Sequence, residues 1–252
     1  MRLFTAGAGF QSCTRITLAQ PAISFAITAR GGVVGKKTII SLCDYTGIFT
    51  QPWRDAGYEA LHVDPQRENN GTILDMMPSI RQAIIKGACF VAGFPPCTDV
   101  AVSGAAHFAS KLEADKYCQA KAALVAEQCR MIGEIAGCPW FFENPVSVFS
   151  SIFGKPNFTF NPSDFGGYLP QDDKHPEWPE YIAARDAYPK KTCLWSGGGF
   201  ELPEKKSVFV KPGYSDQHKK LGGKSLKTKN IRSATPRGFS MAVFEKYGAE
   251  RA

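Results

Sequence analysis

The chain has 252 residues, 44% hydrophobic and 21% charged, which is the balance of a soluble globular protein long enough for one large domain. It has no run of eighteen apolar residues, and its eight cysteines form neither a Cys-x-x-Cys pair nor a Cys/His cluster. A hydropathy-defined spanning helix, a zinc site and a disulfide framework are therefore not expected, and the thiols suit a reducing cytoplasm. The net charge of +7 is concentrated, with thirteen Lys/Arg against four Asp/Glu between Arg185 and Arg237. A basic segment on a near-neutral body points to an anionic polymer as partner, although a solvated lysine-rich loop gives the same charge.

Residues 1–36 read as a poorly ordered leader. Their short apolar centre, Pro21 to Thr28, is too thinly flanked by charge for a signal peptide, and no function is placed there. From residue 37 the pattern becomes regular. Thr38 to Cys43 is an apolar strand, Asp44-Tyr45-Thr46-Gly47 a turn, and Phe49 to Ala56 a short helix closed by Gly57. Ala60 to Asp64 forms a second strand, and a helix around Pro78 to Lys86 leads to a third, Ala88 to Val91. Helical spacing of small and apolar residues predicts one long helix over Ala109 to Ala136. Trp140-Phe141-Phe142 is the next strand. This alternation predicts an α/β fold with a doubly wound, mostly parallel, Rossmann-like sheet over residues 37–155. From 156 to 231, aromatics, Pro, Gly and Lys dominate, and a small irregular basic appendage is expected. A final helix from Pro236 to Tyr247, with Thr235 as its N-cap, returns to the core within 232–252.

Four strand ends carry chemistry. The first bears Asp44-Tyr45-Thr46-Gly47, and the second ends in Asp64. In nucleotide-binding α/β folds a glycine turn lets the cofactor approach the backbone, and an acid on the second strand accepts ribose hydroxyls. A single glycine here fails the dinucleotide fingerprint and fits S-adenosylmethionine better, since that cofactor has no pyrophosphate. Asp75 is within reach of an adenine amino group, and the competing reading makes Asp64 and Asp75 loop and cap residues. The third strand runs into Gly93-Phe94-Pro95-Pro96-Cys97, a stiff loop that fixes the thiol as a candidate nucleophile. A small buried cysteine in a turn is the alternative. Glu143, after Trp140-Phe141-Phe142, has a desolvated setting that raises a carboxyl toward proton donation, or else it only bonds its turn.

Pro95-Pro96-Cys97 after one strand and Glu143-Asn144-Pro145 after the next resemble the signatures of cytosine-C5 DNA methyltransferases. Asp44-Tyr45-Thr46-Gly47 resembles that family's cofactor turn, with Tyr45 where Phe is usual. Arg232-Ser233-Ala234-Thr235-Pro236-Arg237 resembles its late Arg-x-x-Thr-Pro-Arg element. The likeness is good over residues 38–165 and thin at the C-terminus, and the compact build is most similar to bacteriophage-type members. It implies catalysis by Cys97 and Glu143, and S-adenosylmethionine held by Asp44, Tyr45, Thr46, Gly47, Asp64, Asp75 and Pro95. The target base would meet Pro96, Asn144, Pro145, Lys190, Lys191, Arg232 and Arg237. The family's Gln-x-Arg-x-Arg element is not recognisable, and Lys190 and Lys191 either replace it or form a solvated pair. Its closing Gly-Asn-Ser-Val element is missing.

The resemblance therefore implies a monomeric, cytoplasmic DNA (cytosine-5)-methyltransferase of a bacterial or phage-infected cell, using S-adenosylmethionine, no metal and no membrane. Two alternatives remain. One is C5 alkylation of a free cytosine nucleotide, or transfer of a modified group. The other, of a different class, is a non-catalytic DNA- or cofactor-binding protein.

Overall fold

Apolar runs in this chain become strands covered on both faces. The computed structural model describes residues 37–213, 215–222 and 225–248; the leader expected over residues 1–36 lies outside them. Strand β1 (Thr38–Leu42) is buried at every position, as a strand sandwiched between helical layers must be. It is followed by α1 (Gln51–Asp55), β2 (Glu59–Val63), α2 (Met77–Ile85) and β3 (Ala88–Gly93). The helix expected over 109–136 is two helices, α3 (Phe108–Ala114) and α4 (Cys118–Ala136). The break lies at Asp115, whose side chain accepts the backbone N–H of Tyr117 at 3.0 Å. An aspartate bonded to its own backbone two residues on stabilises a turn at the expense of helix.

Strand β4 (Trp140–Pro145) and α5 (Phe149–Ile152) come next. The sheet then continues past residue 155, because β5 (Phe158–Phe160) and β6 (Thr192–Gly197), from the stretch expected to be an appendage, are its last two strands. Helices α6 (Asp216–Lys220), α7 (Leu226–Ser233) and α8 (Arg237–Tyr247) complete the described chain. The strand order is β2-β1-β3-β4-β6-β5. Strands β1 to β4 are parallel neighbours, and β6 runs antiparallel to both β4 and β5. This is an α/β, mostly parallel, Rossmann-like sheet. Its order reverses at β1, and such a switch point opens a crevice at the carboxyl ends of the strands.

Successive residues of each strand point to opposite faces. Ile40, Val91 and Phe142 join Ile80 of α2 and Ala126 and Cys129 of α4 on one face. Ile39, Phe90 and Phe141 join Phe49, Trp53 of α1 and Phe239 and Val243 of α8 on the other. That second core is largely aromatic. Phe141 sits at its centre, with ring centroids 5.3 Å from Phe49 and Phe200 and 5.6 Å from Phe239.

Helix α8 is not capped by Thr235. Pro236 occupies the N-cap position and offers no side-chain cap. The acceptor comes instead from Asp186, whose carboxylate takes the Gly238 N–H at 2.8 Å. Gly238 is needed there, since a Cβ would lie 2.4 Å from the Phe165 carbonyl oxygen. Arg185 and Asp186 both have left-handed backbone, φ 53° and 48°, a strained conformation held by the structure around it.

Candidate active site

The turn after β1 is built around one buried carboxylate. Asp44, 3% exposed, accepts the Ser41 hydroxyl at 2.8 Å, the Gly47 N–H at 2.8 Å and the Thr46 hydroxyl at 3.3 Å. Burial pushes its carboxyl up, against the pull of these donors. Gly47 has φ +66°, and a Cβ there would come within 3.1 Å of His62 Nε2, so the turn closes over the imidazole only with glycine. The Thr50 hydroxyl donates to the Gly47 carbonyl at 3.1 Å and lies 2.6 Å from His62 Nε2. Burial, aided by Arg67 and Arg54, lowers His62 to about 4, so the ring is neutral at physiological pH.

Asp64, at the end of β2, is 6% exposed and accepts the Gln66 N–H at 2.8 Å. Its carboxyl is raised by burial and by the nearby Asp44. Arg67 reaches back to donate to the Tyr45 carbonyl at 2.7 Å. The Asp44–Gly47 turn and Asp64 are thus brought together. Asp75 is turned elsewhere, accepting the Thr72 N–H at 2.9 Å and hydroxyl at 2.7 Å. In geometry it is the cap of its own turn.

Beyond β3, the Phe94 N–H donates to the Leu42 carbonyl at 2.9 Å, which carries the sheet ladder to the edge of the Pro-Pro-Cys loop. Pro95 is buried and Pro96 exposed. The Pro95 carbonyl accepts Asn144 Nδ2–H at 2.9 Å, tying the loop to the end of β4. The next turn is fixed from inside, with the Cys97 carbonyl accepting the N–H groups of Val100 (3.2 Å) and Ala101 (2.9 Å). Lys111 pins it from outside through the Thr98 carbonyl and an ion pair to Asp99 at 3.1 Å. Asn144 Oδ1 is buried without a protein partner, and an orphan acceptor of this kind at a strand end invites a ligand donor.

Cys97 and Glu143 share an electrostatic environment. Burial pushes the Cys97 thiol up, Lys190 pulls it down, and Glu143 pushes it up again. Burial likewise raises the Glu143 carboxyl, and Lys190 again opposes the shift. Lys190 arrives just before β6, and its ammonium donates to the Arg232 carbonyl at 3.0 Å. One cation therefore faces both groups. Lys191 is exposed and acts instead on the buried Cys193 thiol. Arg232 bonds the Leu221 carbonyl at 2.5 Å, and Arg237 pairs with Asp173 at 2.7 Å and the Lys174 carbonyl at 3.2 Å. Both guanidinium groups knit the C-terminal third together.

His62, Arg67 and Tyr188 were not singled out from sequence. His62 was readable as a polar residue at a buried strand end. Tyr188 is buried, hydrogen-bonds Gln217 and senses both Asp186 and Glu143. Its place behind Glu143 depends on contacts between distant segments, and no local pattern marks it.

The fold and crevice define a Rossmann-like α/β protein whose neighbouring strand ends present a thiol, a carboxyl and an ammonium beside a glycine turn. No family model matches the chain, and no curated protein matches it significantly. Among the described residues no group of three or more His, Cys, Asp or Glu could hold a metal ion, and no helix is long and apolar enough to cross a membrane.

Proposed function

We propose that the chain transfers a methyl group from S-adenosylmethionine to C5 of cytosine in DNA, through a covalent bond between Cys97 and C6. The observation that carries this reading is that Cys97 and Glu143, at the ends of the neighbouring strands β3 and β4, both lie within the electrostatic reach of Lys190, on the same rim of the sheet as the Asp44–Gly47 turn. The residues of the turn fit the cofactor: glycine leaves the backbone approachable, and Asp44 and Asp64 are buried acids of the kind that order such a loop and accept ribose hydroxyls. When bound, the cofactor supplies an electrophilic methyl group.

Cytosine C5 is a weak nucleophile. Attack of the Cys97 thiolate on C6 forms a C–S bond and makes C5 enamine-like, so that it can take the methyl group. Loss of the C5 proton to a base then re-forms the C5–C6 double bond and expels Cys97. Glu143 is suited to N3 and the exocyclic amine, because burial favours its protonated, donating form. Lys190 favours the thiolate. A base in duplex DNA must leave the stack to reach this crevice, at a cost of about a few kcal/mol, and the basic 185–237 segment supplies charge for the phosphates.

The test is trapping on DNA containing 5-fluorocytosine in the presence of S-adenosylmethionine. Fluorine at C5 cannot leave as a proton, so a stable protein–DNA adduct is expected from the wild-type chain and none from Cys97→Ser. Label transfer to dCMP but not to DNA would move the reading to a free nucleotide. DNA binding without turnover would make the protein a binding module.

A further inference from the structure

An open cavity of about 460 Å³ lies against the turn after β1, lined by Tyr45, Thr46, Gln66, Arg67 and Glu68 together with Glu177 and Trp178. The first five belong to the turn after β1 and the loop after Asp64. The last two come from the segment between β5 and β6, within the stretch expected to be an appendage.

Trp178 is held rigidly. Its ring stacks on His175 with centroids 5.2 Å apart and planes at 18°. Its backbone N–H donates to His175 Nδ1 at 3.0 Å. Its carbonyl accepts the N–H groups of Tyr181 (3.1 Å) and Ile182 (2.9 Å). His175 is 3% exposed, and burial together with Arg237 lowers it to about 4, so Nδ1 remains an acceptor at neutral pH. Trp178 also packs against the cluster of Ile182, Tyr188 and Leu221. An indole fixed in this way loses little freedom when a ligand stacks on it.

An adenine ring offers a flat π-face and an exocyclic amino donor. Asp75 is engaged by Thr72 and does not line the cavity; Glu68 and Glu177 are both exposed and line it, and Glu177 is the one that adjoins the fixed Trp178 in sequence. We infer that Trp178 and Glu177 form the adenine wall of the cofactor pocket, with Trp178 stacking the purine and Glu177 accepting its amino group. This rests on the reading that the chain uses S-adenosylmethionine. It gives the closing wall, for which the sequence showed no family element, to residues of the C-terminal third.

The experiment is calorimetric titration of the full chain with S-adenosylhomocysteine, with thermal melting as a check on folding. Trp178→Ala is expected to weaken binding about tenfold or more, the scale of losing a base–aromatic stack, while Trp178→Phe stays within about threefold. Glu177→Gln is expected to reduce the preference for S-adenosylhomocysteine over S-inosylhomocysteine, which lacks the amino group, by about fivefold or more, since a site's unpaired polar group is what rejects the wrong ligand. Should Trp178→Ala not fold, Glu177→Gln decides the matter: unchanged discrimination between the two ligands in Glu177→Gln overturns the inference. Wild-type binding with Trp178→Ala within about twofold also overturns it, and leaves the methyltransferase reading standing. A wild-type chain that binds neither S-adenosylhomocysteine nor S-adenosylmethionine overturns both.

Discussion

The Lys190 ammonium donates to the backbone carbonyl of Arg232 at 3.0 Å, which holds a cation that faces both Cys97 and Glu143. The position of this charge is set by a main-chain atom and so does not depend on the Arg232 side chain. Lys190→Gln should therefore impair the thiol far more than Arg232→Ala does. The midpoint of Cys97 alkylation against pH, followed by peptide mass spectrometry, is expected to move upward in Lys190→Gln by about one pH unit. An unmoved midpoint would mean that Lys190 does not act on the thiol.

The Asn144–Pro95 bond joins two strand ends across the crevice. Asn144→Ala leaves the Pro95 carbonyl without its buried donor and should cost about 1–3 kcal/mol in urea unfolding. Trapping on 5-fluorocytosine DNA should fall as well, because the Cys97 loop loses its tie to β4.

Phe141 lies between Phe49, Phe200 and Phe239 in the aromatic core. Phe141→Ala empties the centre of that layer and is expected to lower unfolding free energy by about 3–5 kcal/mol. Phe141→Leu should recover more than half of the loss, measured by the same denaturation.

Asp186 is buried, and burial, opposed by the Gly238 N–H and Arg237, raises its carboxyl to about 6. A folded-state pKa above the unfolded value means that the protonated form is favoured in the native protein. Its contribution to stability is full below about pH 4 and is lost as pH rises through about 6. A shift of this size corresponds to roughly 3 kcal/mol. Asp186→Asn keeps an acceptor for Gly238 and removes this loss, so its melting temperature relative to wild type should increase between pH 4 and pH 7, while the neutral His62 and His175 act alike in both proteins. A difference between Asp186→Asn and wild type that stays constant across this window would contradict the assignment.

Strands β1 to β4, and the placing of Cys97 and Glu143 after two of them, were legible because their signals are local. Phe90-Val91 and Phe141-Phe142 are apolar runs stopped by Gly, Pro or Asn-Pro, and parallel strands put such stops at one end of the sheet. Thr72, three residues before Asp75, was a readable cap pattern that competed with a ligand role. The break at Asp115 was also local, but a side chain that turns onto its own backbone is indistinguishable by spacing from one pointing to solvent. Other features depended on distant segments meeting. Asp186 capping α8, the Arg232 carbonyl holding Lys190, and β6 inserting antiparallel beside β4 leave no trace in any short window.

The reversed direction of β6 has one more effect. Phe160, at the end of β5, and Pro145, at the end of β4, are both level with Thr192, where β6 begins. Everything from Asn161 to Lys191 is therefore a single excursion that leaves and rejoins the same rim of the sheet. A loop anchored at two adjacent points can be lengthened, shortened or exchanged without altering strand register. The outer part of this excursion can thus change in sequence while Cys97 and Glu143, which lie outside it, stay where they are.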